Sequence, residues 1–299
     1  MSDRVVGLDI GGTKTVAALV DPAGVVLDRR RAPTPARSGP TAVLDTAARL
    51  AADLLPAAGA GPVGVGTAGT VDPATGTIRY ATDSLPGWTG TPVAEELAHR
   101  LDRPVRVTND VHAAALGECW VGAGRDSTDV LLVAVGTGLG GAVVRDGRVE
   151  TGARGGAGAV AHLPVPGAER LRCGCGRYGH LEAVASGTGL AAAYAEETGE
   201  RLSGRTVAER AAAGEPTAAR VVERAGSALG RALAGLVALL DPVTVLVAGG
   251  AAGALLPAAS TAYTADLPAA WAHVPLRPAG LGEDAVAVGA ARLAIHPRA

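Results

Sequence analysis

Along the first thirty residues, apolar and polar positions alternate in short runs broken by glycine. Residues 4–9 read as a buried strand, 10–14 as a Gly-rich turn, 15–20 as a second strand, 21–24 as another turn and 25–29 as a third strand. The spacing becomes helical over 40–55, returns to a buried strand at 62–66, and gives an amphipathic helix over 91–101. A strand at 105–108 runs into Asn109-Asp110, an N-cap pair that starts a helix continuing through Glu118. The strand–turn–strand spacing then recurs, with strands at 129–135 and 140–144 flanking a glycine turn at 136–138. The remainder is mainly helical, with a long helix over 216–240, a strand at 243–247 ending in Gly249-Gly250, and a last helix over 285–295. Because the strand–glycine turn–strand unit occurs twice, near residues 10 and 137, the pattern predicts two related α/β halves. The boundaries it suggests are 1–110 and 111–284, with the final helix (about 285–299) folding back on the N-terminal sheet.

Composition narrows the class. The chain has 299 residues, 48% of them hydrophobic, enough for a substantial core, but only 2% aromatic with no Phe, so Ala, Val and Leu must fill it. A formal charge of −2 argues against a protein that works by neutralising nucleic-acid phosphates. Charged residues, Pro and Gly interrupt every apolar run before it reaches the length of a bilayer, so no membrane partner is expected. The N-terminus offers no signal-peptide core, and the expected location is the cytoplasm. Three cysteines, two of them one residue apart, suit a metal site in a reducing compartment better than a disulfide framework.

Four segments carry chemistry. In Asp9-Ile10-Gly11-Gly12-Thr13-Lys14 a carboxylate at a strand end precedes two glycines, a hydroxyl and an ammonium. Glycines let backbone N–H groups approach phosphate oxygens, Thr13 and Lys14 add donors, and the carboxylate suits Mg²⁺ held through water. An ordinary hairpin whose Asp merely forms a turn fits the same letters. Gly136-Thr137-Gly138-Leu139-Gly140-Gly141 matches the dinucleotide fingerprint by letter, but a strand follows it where that fingerprint opens a helix. It reads as a second phosphate-binding hairpin. His162, Cys173, Cys175 and His180 lie within nineteen residues and suit tetrahedral Zn²⁺ in a closed, structural site. The bland alternative is two inert thiols and two surface histidines. Cys119 reads as a small buried hydrophobe. Asn109-Asp110 at a helix start can present a general base for phosphoryl transfer, or can be a plain cap.

Together these segments, with Val247-Ala248-Gly249-Gly250, resemble the ROK family (repressors, open reading frames and kinases) of the hexokinase–actin superfamily. The resemblance implies an α/β fold of two actin-like (ribonuclease H-like) domains, with ATP and a sugar in the cleft between them. It implies Asp110 as catalytic base and Asn109 as a sugar ligand. It assigns the phosphates to Asp9, Gly11, Gly12, Thr13, Lys14, Gly136, Thr137 and Gly138, and adenosine to the loop of Gly249 and Gly250. Gly69, Asp83, Ser84, His162 and Glu182 are the further sugar-side positions. A homodimer or dimer of dimers is the implied assembly. The departures matter as much. The family's zinc set of one His and three Cys has His180 in place of the third Cys. Its G-x-P-G turn stands here as Gly66-Thr67-Ala68-Gly69, and its N-L-x-G-W as Ser84-Leu85-Pro86-Gly87-Trp88. The glucokinase pattern G-E-x-G-H stands as Gly158-Ala159-Val160-Ala161-His162, without the carboxylate. Phosphate residues kept and sugar contacts changed imply a kinase for a modified sugar, an amino hexose or a cyclitol, over plain glucose. Ordinary glucokinase is the alternative. A sugar-responsive regulator is expected to carry a DNA-binding segment ahead of residue 4, and a catalytically silent sugar-binding protein is the remaining reading.

Overall fold

The computed structural model describes residues 4–296. In chain order the elements begin β1 (Val5–Ile10), β2 (Lys14–Val20), β3 (Val26–Pro33), α1 (Pro40–Ala52), β4 (Val63–Thr67), β5 (Thr70–Val71) and β6 (Ile78–Tyr80). They continue with α2 (Val93–Leu101), β7 (Val105–Asn109), α3 (Asp110–Val121), β8 (Val130–Val135), β9 (Leu139–Arg145) and β10 (Arg148–Val149). The last group is α4 (Glu182–Ala185), α5 (Gly187–Thr198), α6 (Gly204–Ala212), α7 (Pro216–Leu240), β11 (Thr244–Ala248), α8 (Ala252–Asp266), β12 (Leu276–Pro278) and α9 (Ala285–Ile295). One sheet has the order β3-β2-β1-β4-β7, the other β10-β9-β8-β11-β12, and β5 pairs with β6 in a small ribbon. In the first sheet β1 to β3 form the antiparallel meander, and β4 and β7 join β1 in parallel.

Two compact units result, one of residues 4–128, 142–158 and 280–296, the other of 129–141 and 159–279. Residue 110, where the repeat in the sequence suggests a boundary, is the first residue of α3. That helix packs on α9 inside the first unit, so the chain leaves this unit only after Thr128.

Alternation along the strands decides how the first unit is layered. Val6, Leu8, Ile10, Val63 and Val65 enter one core with Val43, Leu44, Ala47 and Ala51 of α1. On the opposite face the same strands carry glycine. A Cβ on Gly7 would lie 2.0 Å from the Ala287 carbonyl oxygen, and one on Gly64 1.7 Å from that of Ala290. Helix α9, which reads AVAVGAARLAI, therefore lies against bare backbone, and its Gly289 in turn meets α3, where a Cβ would be 1.6 Å from the Ala113 carbonyl oxygen. Small residues on both sides bring the backbones together and replace the bulk that aromatic side chains would supply.

In the second unit the buried stripe of α7 runs Ala218, Val221, Val222, Ala225, Leu229, Leu233 and Val237, the spacing of one helical face. Its Gly226 and Gly230 admit the backbone of α8. No helix among the described residues is long and apolar enough to cross a membrane.

Candidate active site and metal centre

The carboxyl ends of parallel strands are where α/β sheets bind ligands, and in the first unit three such ends meet. Register places Ile10 beside Thr67 and Thr67 beside Asn109. Asp9, the turn after Thr67 and the Asn109-Asp110 pair therefore share one edge. Asn109 caps α3: its Oδ1 accepts from the amides of Val111 at 2.8 Å and His112 at 3.2 Å, while its Nδ2 donates to the Gly69 carbonyl at 2.9 Å. Capping and the link to Gly69 fix the amide, and the Asn109 side chain also hydrogen-bonds the Asp110 carboxyl, which opposes the upward shift that burial causes there. Asp110 accepts the Val111 amide at 2.9 Å, and burial raises its carboxyl above the usual range. The Asp9 carboxyl is pushed up to about 7, by burial first and by the negative charge of Asp110 second, against the opposing pull of Lys14.

The turn after β1 closes with the Gly11 amide donating to the Lys14 carbonyl at 3.1 Å, and Thr13 is exposed at its tip. A Cβ on Gly12 would lie 2.7 Å from the Ser84 carbonyl oxygen, so the loop bearing Asp83 and Ser84 rests on the turn after β1. Both of those side chains are exposed. Lys14 Nζ lies 3.3 Å from Glu283 Oε2. Glu283 was not among the expected residues. Its one sequence signal was the acidic pair Glu283-Asp284 directly ahead of the final helix.

In the second unit β8 and β11 are parallel, with Ala134 beside Ala248, so the turn after β8 and the Gly249-Gly250 loop after β11 share an edge. The turn is closed by the Gly136 amide on the Gly138 carbonyl at 3.0 Å, and strand β9 follows, not a helix. The start of α5 backs it: the Gly187 and Thr188 amides donate to the carbonyls of Gly136 and Thr137 at 2.8 and 3.0 Å. Gly249 has φ +96°, and a Cβ there would strike the Val135 carbonyl oxygen at 2.3 Å, so only glycine fits. Glu182 has both carboxylate oxygens engaged. One accepts the Leu139 amide at 3.2 Å, the other the Gly174 amide at 3.1 Å and the Cys173 thiol at 3.2 Å. Ala159 is exposed at the head of the short turn Val160–His162, with its carbonyl accepting the His162 amide.

His162, Cys173, Cys175 and His180 do come together: one donor atom from each lies within 4.8 Å of all the others. The Cys173 Sγ to His162 Nδ1 distance is 3.7 Å, and Cys175 Sγ to His180 Nδ1 is 3.3 Å. Zinc bonds of about 2.0–2.3 Å in a tetrahedron give ligand–ligand edges of roughly 3.3–3.8 Å, so two thiols and two imidazoles here fit that ion. Burial pushes the Cys173 thiol up to about 12, the opposite of what an opposed cation does. Cys119, expected to be buried, is half-buried, and burial likewise pushes its thiol up to about 12.

Two α/β units of one strand order, each with a glycine turn at the carboxyl ends of parallel strands, define the actin-like fold of sugar-phosphorylating enzymes. Within that class the chain belongs to the ROK family, whose model matches residues 5–296. It is 37% identical to an N-acetylmannosamine kinase of Shigella boydii serotype 18, over 96% of this chain and 97% of that one. It is 33% identical to a glucokinase of Halalkalibacterium halodurans, over 97% and 94%. A ROK glucokinase from Streptomyces griseus, solved with glucose and AMPPNP, superposes with a TM-score of 0.85 at 31% identity, covering 97% of this chain and 99% of that one.

Proposed function

We propose that this ATP-dependent sugar kinase transfers the γ-phosphate of ATP to the 6-hydroxyl of a modified hexose, an N-acylated amino sugar over plain glucose. The observation that carries the reading is Ala159. Where the glucokinase pattern has a carboxylate, the chain presents an exposed methyl group beside His162. A site built to hydrogen-bond a hydroxyl discriminates strongly through that bond; with the carboxylate gone, the bond is lost and space for a bulkier substituent is gained. The relatives support both sides of the choice, an N-acetylmannosamine kinase and a glucokinase. Because Glu182 is engaged with Leu139, Gly174 and Cys173, pairing with a free ammonium would fall to Asp83, which makes the uncharged acylamino group the better fit.

In this reading Asp110 accepts the 6-hydroxyl proton as the bond to γ-phosphorus forms and ADP leaves with the electron pair of the broken P–O bond. Asn109 is a sugar ligand beside it, and Gly69, Ser84, Asp83, His162 and Glu182 are the further sugar-side positions. Backbone and side-chain donors of Gly11, Gly12, Thr13, Lys14, Gly136, Thr137 and Gly138 orient the phosphates, and Gly249 and Gly250 border the adenosine. Asp9 would hold Mg²⁺ through water, which neutralises phosphate charge. His162, Cys173, Cys175 and His180 would hold Zn²⁺, which orders the 162–180 loop. The family assembly, a homodimer or dimer of dimers, and a cytoplasmic location complete the reading.

The test is coupled-assay ATP consumption with glucose, mannose, their amino and N-acetyl derivatives, and cyclitols. A kcat/KM at least tenfold higher for an N-acetyl hexosamine than for glucose is expected. Preference for glucose would return the enzyme to the glucokinases, and silence with every sugar would leave a binding protein. Asp110→Asn in the same assay should lose turnover by about 10²–10⁴-fold.

A further inference from the structure

One buried hydroxyl in the first unit ties together three segments that the proposed reaction needs, and it belongs to none of the expected site residues. Thr67 is the last residue of β4 and has no exposed surface. Its Oγ1 donates to the Ile10 carbonyl at 3.2 Å and accepts the indole N–H of Trp88 at 3.2 Å. Ile10 follows Asp9 and precedes the phosphate turn. Trp88, itself only 1% exposed, closes the loop that carries Asp83 and Ser84. The same loop touches the turn a second time, where the Ser84 carbonyl sits over Gly12 at a distance that leaves no room for a Cβ. Internal bonds stiffen the span between those anchors: the Leu85 amide donates to Thr82, the Trp88 amide to Leu85, and the Ala81 amide to Thr89 Oγ1.

A hydroxyl is the group this position requires. The indole N–H needs an acceptor and can offer nothing else, and the Ile10 carbonyl is an acceptor already bonded to the Ala68 amide at 3.2 Å. Only a group that both donates and accepts links the two. A valine has the same shape and can do neither, leaving the indole N–H buried without a partner.

We propose that Thr67 is a positioning residue for the sugar subsite, its hydroxyl registering the 82–89 loop against the phosphate turn and so setting where Ser84 and Asp83 meet the acceptor. This rests on the sugar-kinase reading of that loop. Thr67 touches neither substrate; it acts through Trp88 and Ile10.

The test is Thr67→Val, with Thr67→Ser as the conservative rescue and Trp88→Phe to remove the N–H from the other side. With whichever sugar the wild-type enzyme phosphorylates, Thr67→Val should raise the sugar KM by about tenfold while the ATP KM stays within twofold, and Thr67→Ser should restore it. Thr67→Val and Trp88→Phe together should cost no more than the larger single effect, because the one bond Trp88→Phe removes is already lost in Thr67→Val. Equal increases in both KM values, or additive effects, would overturn the proposal. Amide hydrogen exchange gives a reading that needs no substrate: Thr67→Val should lose protection in residues 82–89 with α1 and α7 unchanged. Unaltered exchange there would overturn it even if every sugar in the panel failed, whereas failure of the panel with wild-type enzyme bears on the function alone.

Discussion

Asp9 and Asp110 show how position turns two ordinary carboxylates into coupled groups. Asp9 lies near the end of one strand of a parallel set and Asp110 follows another; burial raises both, and the negative charge of Asp110 raises Asp9 further. The consequence for stability has a definite sign. Below the ordinary value of 3.8 the Asp9 carboxyl is protonated in folded and unfolded chains alike and costs nothing. Between 3.8 and about 7 the unfolded chain ionises while the folded one keeps its proton, so stability falls as pH rises, and the loss is complete above that window. In Mg²⁺-free buffer Asp9→Asn should therefore raise the melting temperature more at pH 8 than at pH 5. An equal shift at both would mean that Asp9 titrates normally. The pairing of Lys14 with Glu283 belongs to the same scale: an ammonium at the turn after β1 rests on a carboxylate 269 positions away, a pairing no local pattern signals.

At the scale of elements, the cysteine–histidine loop has little regular structure of its own. Between the short turn at Val160–His162 and α4 it is held by turns and isolated bridges, Pro164 with His180 and Arg172 with Tyr178. Glu182, at the start of α4, binds this loop to the turn before β9 through Gly174 and Leu139. On the zinc proposal, an ion held by His162, Cys173, Cys175 and His180 would order this loop. Purified protein is expected to carry about one zinc per chain, and Cys173→Ser or chelation should remove it, lower the melting temperature and weaken both sugar and nucleotide binding. Metal-free protein with unchanged melting would refute the zinc assignment. Helix α3 shows a different kind of order. Its Glu118, fully buried, accepts the amides of Ala123, Gly280 and Leu281 at 2.7–3.0 Å, pinning the chain where it re-enters the first unit. A carboxylate so supplied with N–H donors is stable without a cation.

For the molecule as a whole, each unit has its own sheet, and a charge of −2 leaves the surface without a field for polyanions. Among the large apolar residues described, Leu239 near the end of α7 is the most exposed, at 77%, and Val243, just before β11, is 52% exposed. Large apolar residues left in water are candidates for association surfaces. If the chain assembles as a dimer through this face, Leu239→Glu should shift sedimentation from dimer to monomer without loss of helical signal. Unchanged assembly would move the interface elsewhere, and a monomeric wild type would remove the dimer.

Much of this was written locally in the chain. Glycine turns after apolar runs gave the meander and both glycine hairpins, and Asn109 gave the start of α3, because turn chemistry and capping act over a few residues. The clustering of His162, Cys173, Cys175 and His180 was legible for the same reason, the four being close in sequence. What tertiary structure alone decided lies in contacts between distant segments. Gly7 and Gly64 carry no local signal of their own; the need for them comes from α9, whose backbone lies on them. The first unit runs past 110 to Thr128 because α3 packs on α9, which starts 175 positions after α3 does. The Thr67–Trp88 bond, the Glu118 anchor and the Lys14–Glu283 pair join residues that no periodicity relates. Only the closed fold, in which burial makes each unpaired polar group costly, could require them.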